Sequence, residues 1–541
     1  MPVFSAAIAA VAAIASGVGA FIGGLGAIGT FALQMAAGIG VSYLAKALAG
    51  KPKQQDASNG VSGVQGKLQA AGDVPRQFML GKGATAGSLV YANAWGNDGD
   101  TPNAYFTQVI ALSDLPVKGL RGVWVNGEYV TLTTENPSLS SDSAIDIWKD
   151  AWAACIAAGL APMFSDEGRA FVSNYIAAHT GQTPGTGGIT DWGYPVLEYR
   201  KDGKDHLWIK FYDGTQTVAD PFLTGRVSTV ARPYGASRVG KGIAYVICTS
   251  LVNDTLFTGF PQFLFELDGV KLYDPSKDDT NGGEGDQRYS DPATWGGDGD
   301  DLPAVQIYNL LRGIKYGDDW LYGFQNFSGR RAIAENWIAQ ANKCRALVEG
   351  PNGQEPTYRS AGQIAVDTPL GDTVEALLTS CQGKLSETGG FYKMHCGEPD
   401  SPSFFFTDDD ILSTEEQSFT PFFGLADTVN GISGKYPSPE EGWAMKPAPP
   451  VLRTDLEARA GNRRLLSDVT FDFVPHAPQV QRLMNSALLA AQRARRHTFS
   501  FGPKFWFVEP GDVGAYTSQR NGYADKLFEV NGAVDKANLD I

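Results

Sequence analysis

The chain has 541 residues and a formal net charge of −15, with 43% hydrophobic and 11% aromatic side chains. That length exceeds a single ordinary core of about 100–200 residues, so several domains are expected, and 64 Gly with 30 Pro mark many tight turns between short strands. The acidic balance argues against a protein whose main task is to coat nucleic acid, because neutralising phosphates needs clustered Lys and Arg; DNA could pass such a surface without sticking, while plain solubility is the first reading of the charge.

Met1 to Leu44 carries no charged side chain, and the first one met is Lys46. A membrane-spanning helix needs about 20 apolar residues, so residues 1–50 form an apolar helical segment long enough for one long helix, or for two spans broken near Gly23, Gly24 and Gly26. A secretory signal peptide is shorter and opens on a basic region, which is missing here. Phe4, Phe21, Phe31, Met35 and Leu44 dot a background of Ala and Gly, whose small side chains let helix backbones approach closely. The segment is expected to enter a membrane or to form an apolar plug in a lumen among copies of the chain. An ordinary core helix is disfavoured, since each interior Gly costs roughly 1 kcal/mol. Gly24, Gly26 and Gly29 have the spacing of a dinucleotide-binding turn, but no strand precedes them and no acidic residue follows about 20 positions on. Residues 51–72 are polar and read as a linker.

From residue 74 the pattern is strand, Gly-rich turn, strand, and it continues over 104–133 around the turn Asn126-Gly127. Two amphipathic helices near 144–160 and 165–179 follow, then a hairpin turning at Asp202-Gly203. Strands resume at 240–250 and 261–276, so 73–135 and 231–300 read as one β domain split by an inserted α+β module, 136–230. An acidic Gly-rich loop, Asp278 to Asp301, is expected to cap a helix with Pro303 in its first turn. Apolar residues at helical spacing (Ile333, Trp337, Ala341, Cys344; then Val374, Leu377, Leu378, Cys381), a hairpin at Gly389-Gly390 and a strand at Phe404–Phe406 make 301–440 an α+β domain. Residues 441–541 read as a second β domain. It has a strand near 468–474, a helix from about Ala477 to Arg496 whose last arginines suit the negative end of its dipole, and strands at 498–508 and 524–532. The fold class is α+β, multidomain, with β-rich, barrel-like antiparallel domains.

Little in the chain points to chemistry. Cys155, Cys248, Cys344, Cys381 and Cys396 are scattered, without a C-x-x-C pair, and read as buried thiols of a protein made in a reducing cytosol. His395-Cys396 is a lone His/Cys pair with no second pair near it, which argues against a metal site. Gly235 to Lys241 spells the start of a phosphate-binding loop, but Gly242 replaces the metal-binding hydroxyl and a strand follows where a helix is needed. The loops Asn97-Asp98-Gly99-Asp100 and Asp298-Gly299-Asp300-Asp301 lack the spacing of a helix-loop-helix calcium site and read as solvated turns. Hydrolase and metalloprotease motifs are missing. No catalytic residue, cofactor or metal is nominated, and the chain is expected not to be an enzyme.

The order of motifs in the second half resembles the tail-tip attachment, or baseplate hub, proteins of long-tailed (siphovirus-type) phages, the family of the phage lambda host-specificity protein. GVKLYDPS (269–276) precedes a Gly/Asp-rich loop, DPATW (291–295) and a helix closing in KYG (315–317); Ser276 stands where Arg is common, a change read as lying on the surface. Further matches are 372–397, DDDIL (408–412) and 505–530, so the likeness covers most of 74–541. The resemblance implies a homotrimer at the distal end of the virion tail, assembled in the host cytoplasm. Its partners would be the distal tail protein ring, the tape-measure protein, other tail-tip proteins and a host envelope receptor, with phage DNA only in passage. The apolar segment 1–50 departs from the lambda type, so its role in the lumen or the host membrane is not inherited. The resemblance also predicts a further strand, and often further domains, beyond Ile541. Two other classes fit the residues alone: a membrane-inserting pore-forming protein, and a cell-envelope glycan hydrolase.

Overall fold

The computed structural model describes residues 63–534, apart from 71–73, 134–141, 161, 163–165, 181–190, 258, 352, 398, 422–427 and 494. The first half is built on β1 (Gln77–Leu80), β2 (Lys82–Thr85), β3 (Ser88–Asp98), β4 (Thr101–Ser113), β5 (Gly119–Val125), β6 (Glu128–Val130), β7 (Tyr194–Pro195), β8 (Arg200–Lys201), β9 (Lys204–Asp205), β10 (Leu207–Tyr212), β11 (Ala244–Leu251) and β12 (Phe263–Asp268). β3-β4-β11-β10-β7 form one antiparallel sheet and β2-β12-β5-β6 another. At Asn126-Gly127 both φ angles are positive (53° and 87°), the geometry a two-residue hairpin needs, and Asp202-Gly203 does the same for β8 and β9.

β11 is buried along its whole length because it carries a layer on each face. Val246 and Cys248 enter the core shared with the four-stranded sheet, while Tyr245 and Ile247 pack with Trp95, Phe222 and Tyr234 on the other side. The helices Asp142–Ala157 and Asp166–Thr180 add Trp148, Trp152 and Ile176 to the first of these cores. β7 and β10 come from the stretch read as an inserted module, yet they pair into the same sheet as β3 and β4. Outside that sheet, the described residues of 136–230 include the helical pair, the β8–β9 hairpin and the turn Leu223–Val227, which joins Phe222 in the second core.

Part of the stretch read as linker is held in place. Ala86 N–H donates to Gln65 O and Leu89 N–H to Gln69 O, both at 2.8 Å, and Gln363 N–H donates to Gly63 O at 3.0 Å. β1 in turn pairs antiparallel with Gly362–Ala365, which ties the β-rich half to the next core. That core surrounds the helix Pro303–Arg312, nine of whose ten residues are buried. Its two buried amides are satisfied: Gln306 Nε2 donates to the carbonyls of Asp300 and Ser360, and Asn309 Nδ2 to Tyr273 O. The helices Ala334–Arg345 and Leu370–Ser380 and the hairpin of Lys384–Thr388 with Phe391–His395 complete it.

In the last third, the helix Ala477–Ala491 lies on a three-stranded sheet of Gly431–Ser438, Ala444–Leu452 and Leu466–Thr470. Around this unit the chain closes back on itself. Phe404–Thr407 pairs parallel with Val513–Ser518, and Ser418–Thr420 pairs antiparallel with Arg496–Thr498. The helix therefore stops five residues short of Arg496, which lies in the strand Arg496–Thr498. The strand read at 498–508 is a short strand ending at Thr498 and then a single turn, Pro503–Phe505.

Candidate assembly surface

The motif GVKLYDPS and the loop after it fold into a closed hydrogen-bond knot. Asp274 Oδ1 accepts from Ser276 N and Oγ at 2.9 and 2.7 Å, its N–H donates to Gln287 Oε1 at 2.8 Å, and Tyr273 Oη donates to Asp278 at 2.7 Å. Asp300 accepts from Leu272 N and pairs with Lys118 Nζ at 2.8 Å. It does not cap the helix, whose N-cap is Leu302 without a side-chain bond. Arg345, from the helix Ala334–Arg345, reaches into the knot and bonds Asp274, Asp298 and Ser276 Oγ. Ser276 is buried, so the change from the common Arg lies in the interior and not on the surface.

The candidate chemical motifs have structural roles. A Cβ on Gly242 would meet the Tyr316 ring at 2.7 Å, so close packing as well as a positive φ of 82° calls for Gly there. Asp98 pairs with Lys204 beside the β3–β4 turn, Asp298 with Arg345 and Asp300 with Lys118, so these carboxylates already have counter-charges. Among the described residues no group of His, Cys, Asp or Glu is arranged to hold a metal ion. A cleft of about 190 Å³, lined in part by Lys82, Lys118, Arg121, Asp268, Asp298 and Asp301, is smaller than ordinary ligand pockets of roughly 300–1,000 Å³. Its Arg121 and Asp268 bond each other at 3.3 Å.

Several large apolar side chains of the last third stand exposed. Phe405, Phe507, Leu527 and Trp506 are 65%, 57%, 56% and 54% exposed. Phe405 sits opposite Ala515, and Ala515 opposite Leu527, so one row crosses the sheet of Phe404–Thr407, Val513–Ser518 and Tyr523–Glu529 on the face away from the aromatic core. The other face holds that core: Phe406 stacks on Tyr516 at 4.5 Å between ring centres, with Phe499, Phe501 and Phe505 around them. Beside it Arg495 and Lys526 lie 5.6 and 5.5 Å from the Tyr523 ring centre, and His497 stacks on Phe419 at 4.3 Å. These residues were not singled out from the sequence. The run Phe404-Phe405-Phe406 carried the available signal, since an alternating strand can bury only two of the three. The site residues that were named, Phe4, Phe21, Phe31, Met35 and Leu44, lie outside the described residues, as do any helices they form. Among the described residues no helix is long and apolar enough to cross a membrane.

Residues 371–533, which hold this surface, match the model of a protein family described as "Putative phage tail protein". A chain in the solved virion of a native gene transfer agent (GTA) particle shares the fold, with a TM-score of 0.51 at 15% identity over 98% of this chain and 94% of that one. No curated protein matches the sequence. The family match over residues 371–533 supports a phage tail protein, and the structural match gives the fold.

Proposed function

We propose that this chain is the hub of a phage tail tip, of the lambda host-specificity type. Three copies close the distal end of the tail tube. They hold the distal tail protein ring above, the end of the tape-measure protein within and other tail-tip proteins around them, and they turn engagement of a host envelope receptor into opening for DNA ejection. The observation that carries this reading is the tail-family match over 371–533, which coincides with the outer sheet face that exposes Phe405 and Leu527. A face of that kind is what subunit association covers. The order of motifs from Gly269 onward supports the finer assignment to the tip. The acidic charge of the chain suits a wall that DNA passes without binding. The apolar segment 1–50 serves as a lumen plug or enters the host membrane.

Light scattering of the full chain, with electron microscopy of virions labelled against it, tests the reading. A trimeric mass and label at the tail tip are expected. A monomer absent from virions would overturn it.

A further inference from the structure

Three of the five cysteines, distant in sequence, meet in the core around the helix Pro303–Arg312. Cys344 lies near the end of the helix Ala334–Arg345, Cys396 directly follows the strand Phe391–His395, and their Sγ atoms are 3.7 Å apart. Cys381 follows the helix Leu370–Ser380 and faces the Cys396 thiol, with the carbonyls of Leu377 and Leu378 as its other neighbours. Cys396 is thus the middle thiol of three. All three are buried, in a setting of Trp337, Ala341, Leu377 and Met394. A disulfide bond is about 2.05 Å long, so Cys344 and Cys396 need to close by less than about 2 Å, along a contact the packing already makes.

We infer that Cys344 and Cys396 are a latent disulfide pair, kept as thiols in a reducing cytosol and cross-linked by peroxide once the particle has left it. Only the clause on compartments rests on the virion reading; the pairing rests on the core itself. The Cys396 thiolate takes one oxygen from hydrogen peroxide, giving a sulfenic acid and releasing hydroxide. Cys344 sulfur then attacks the sulfenic sulfur, the S–O bond breaks, and the oxygen leaves as water with the Cys344 proton. Peroxide is reduced by two electrons and the two thiols are oxidised to one disulfide. A small oxidant is required because the sulfurs are buried. The contact with Cys396 and burial raise the Cys344 thiol; at Cys396 the bond with Cys344 lowers the thiol, but the contact with Cys381 and burial outweigh it, so both stand well above the ordinary range, which keeps thiolate scarce and the reaction slow. The cross-link would fasten the helix that carries Arg345 to the hairpin 384–395, on the side of the core next to the Asp274 knot.

The test uses the purified full chain, incubated with and without hydrogen peroxide, then denatured, alkylated, titrated for thiols and mapped by peptide mass. Reduced protein should give five thiols and oxidised protein three, with Cys344 and Cys396 in one linked peptide pair. Cys381→Ala should leave the link in place, and Cys344→Ala should move it to Cys381 and Cys396. Five thiols after long oxidation, over-oxidised cysteines without a link, or a link that joins other cysteines would overturn the inference. None of these outcomes depends on where the chain sits in a virion.

Discussion

Arg345 and Asp274 are 71 positions apart, and the bond between them holds the helix Ala334–Arg345 against the acidic loop. The Asp274 side chain is almost wholly buried. Arg345→Met would leave that carboxylate without its cation, and a loss of about 3–5 kcal/mol is expected by chemical denaturation. Glu266 makes a second such joint. Its Oε1 accepts from Trp124 Nε1 at 2.9 Å and from Trp443 Nε1 at 2.8 Å, so one carboxylate links the first β unit to the sheet of the last third. Neither partner was visible in the sequence, because nothing local marks a bond across so many residues. The turn at Asn126-Gly127 was visible, because its signal is a backbone preference of the two residues themselves. Burial also acts on Asp472 and His476. It raises the Asp472 carboxyl from 3.8 to about 6, and burial together with the cations Arg359, Lys82 and Arg482 lowers the His476 imidazole from 6.5 to about 3. Between about pH 4 and 6 the folded chain holds the Asp472 proton more tightly than the unfolded one, so this group costs stability as pH rises. For His476 the unfolded chain takes the proton first, so stability is lost as pH falls from 6.5 towards 3. The histidine's displacement is the larger, and the net effect is loss of stability in acid. Asp472→Asn should gain roughly 2 kcal/mol at neutral pH, and His476→Gln should flatten the melting midpoint between pH 6.5 and 4, both read by thermal and denaturant unfolding.

Among the elements, the helix read as closing in KYG stops at Arg312, because Gly313 turns out of it with a φ of 85° and Ile314–Tyr316 pairs with Asp319–Tyr322; the other helices of 301–397 and the hairpin at Gly389-Gly390 were legible because apolar period and turn residues agree there. The segment 491–508 was not. Gln492 to Arg496 has good helix propensity, but Arg496–Thr498 pairs with Ser418–Thr420, and that tertiary pairing prevails. The alternating aromatics of 499–507 imitate a strand, while Gly502 and Pro503 break it into a turn whose rings gather on Tyr516. The same region supplies the exposed row. Phe405 and Leu527 occupy the outer face of a small sheet whose core lies on the other side, so polar replacements there should hardly touch the folded monomer. Phe405→Ser with Leu527→Ser is expected to change unfolding free energy by about 0.5–1 kcal/mol or less and to abolish the trimeric mass that the proposed function predicts in light scattering. A trimer that persists would move the interface elsewhere and remove the argument that links this face to association.

At the scale of the whole molecule, the question is whether the apolar segment belongs to the body or only to its action. The described body makes its first contacts at Gly63, Gln65 and Gln69, which bind 362–365 and the β2–β3 region. A chain lacking residues 2–45 keeps all of these, as well as β1's pairing with Gly362–Ala365 and the Glu266 joint. It should therefore melt as the full chain does and still form the same oligomer. Truncation at residue 73 would remove the Gln65 and Gln69 contacts and lower the melting midpoint, so the two cuts separate a structural role for 63–70 from a role for the apolar segment. In virions, the two readings of that segment then part. A lumen plug among copies predicts that deletion of 2–45 gives particles that leak DNA or do not assemble. A membrane-entering segment predicts intact particles that adsorb to the host and do not deliver DNA, because the charge-free run that would enter the bilayer is gone while every described contact of the body remains.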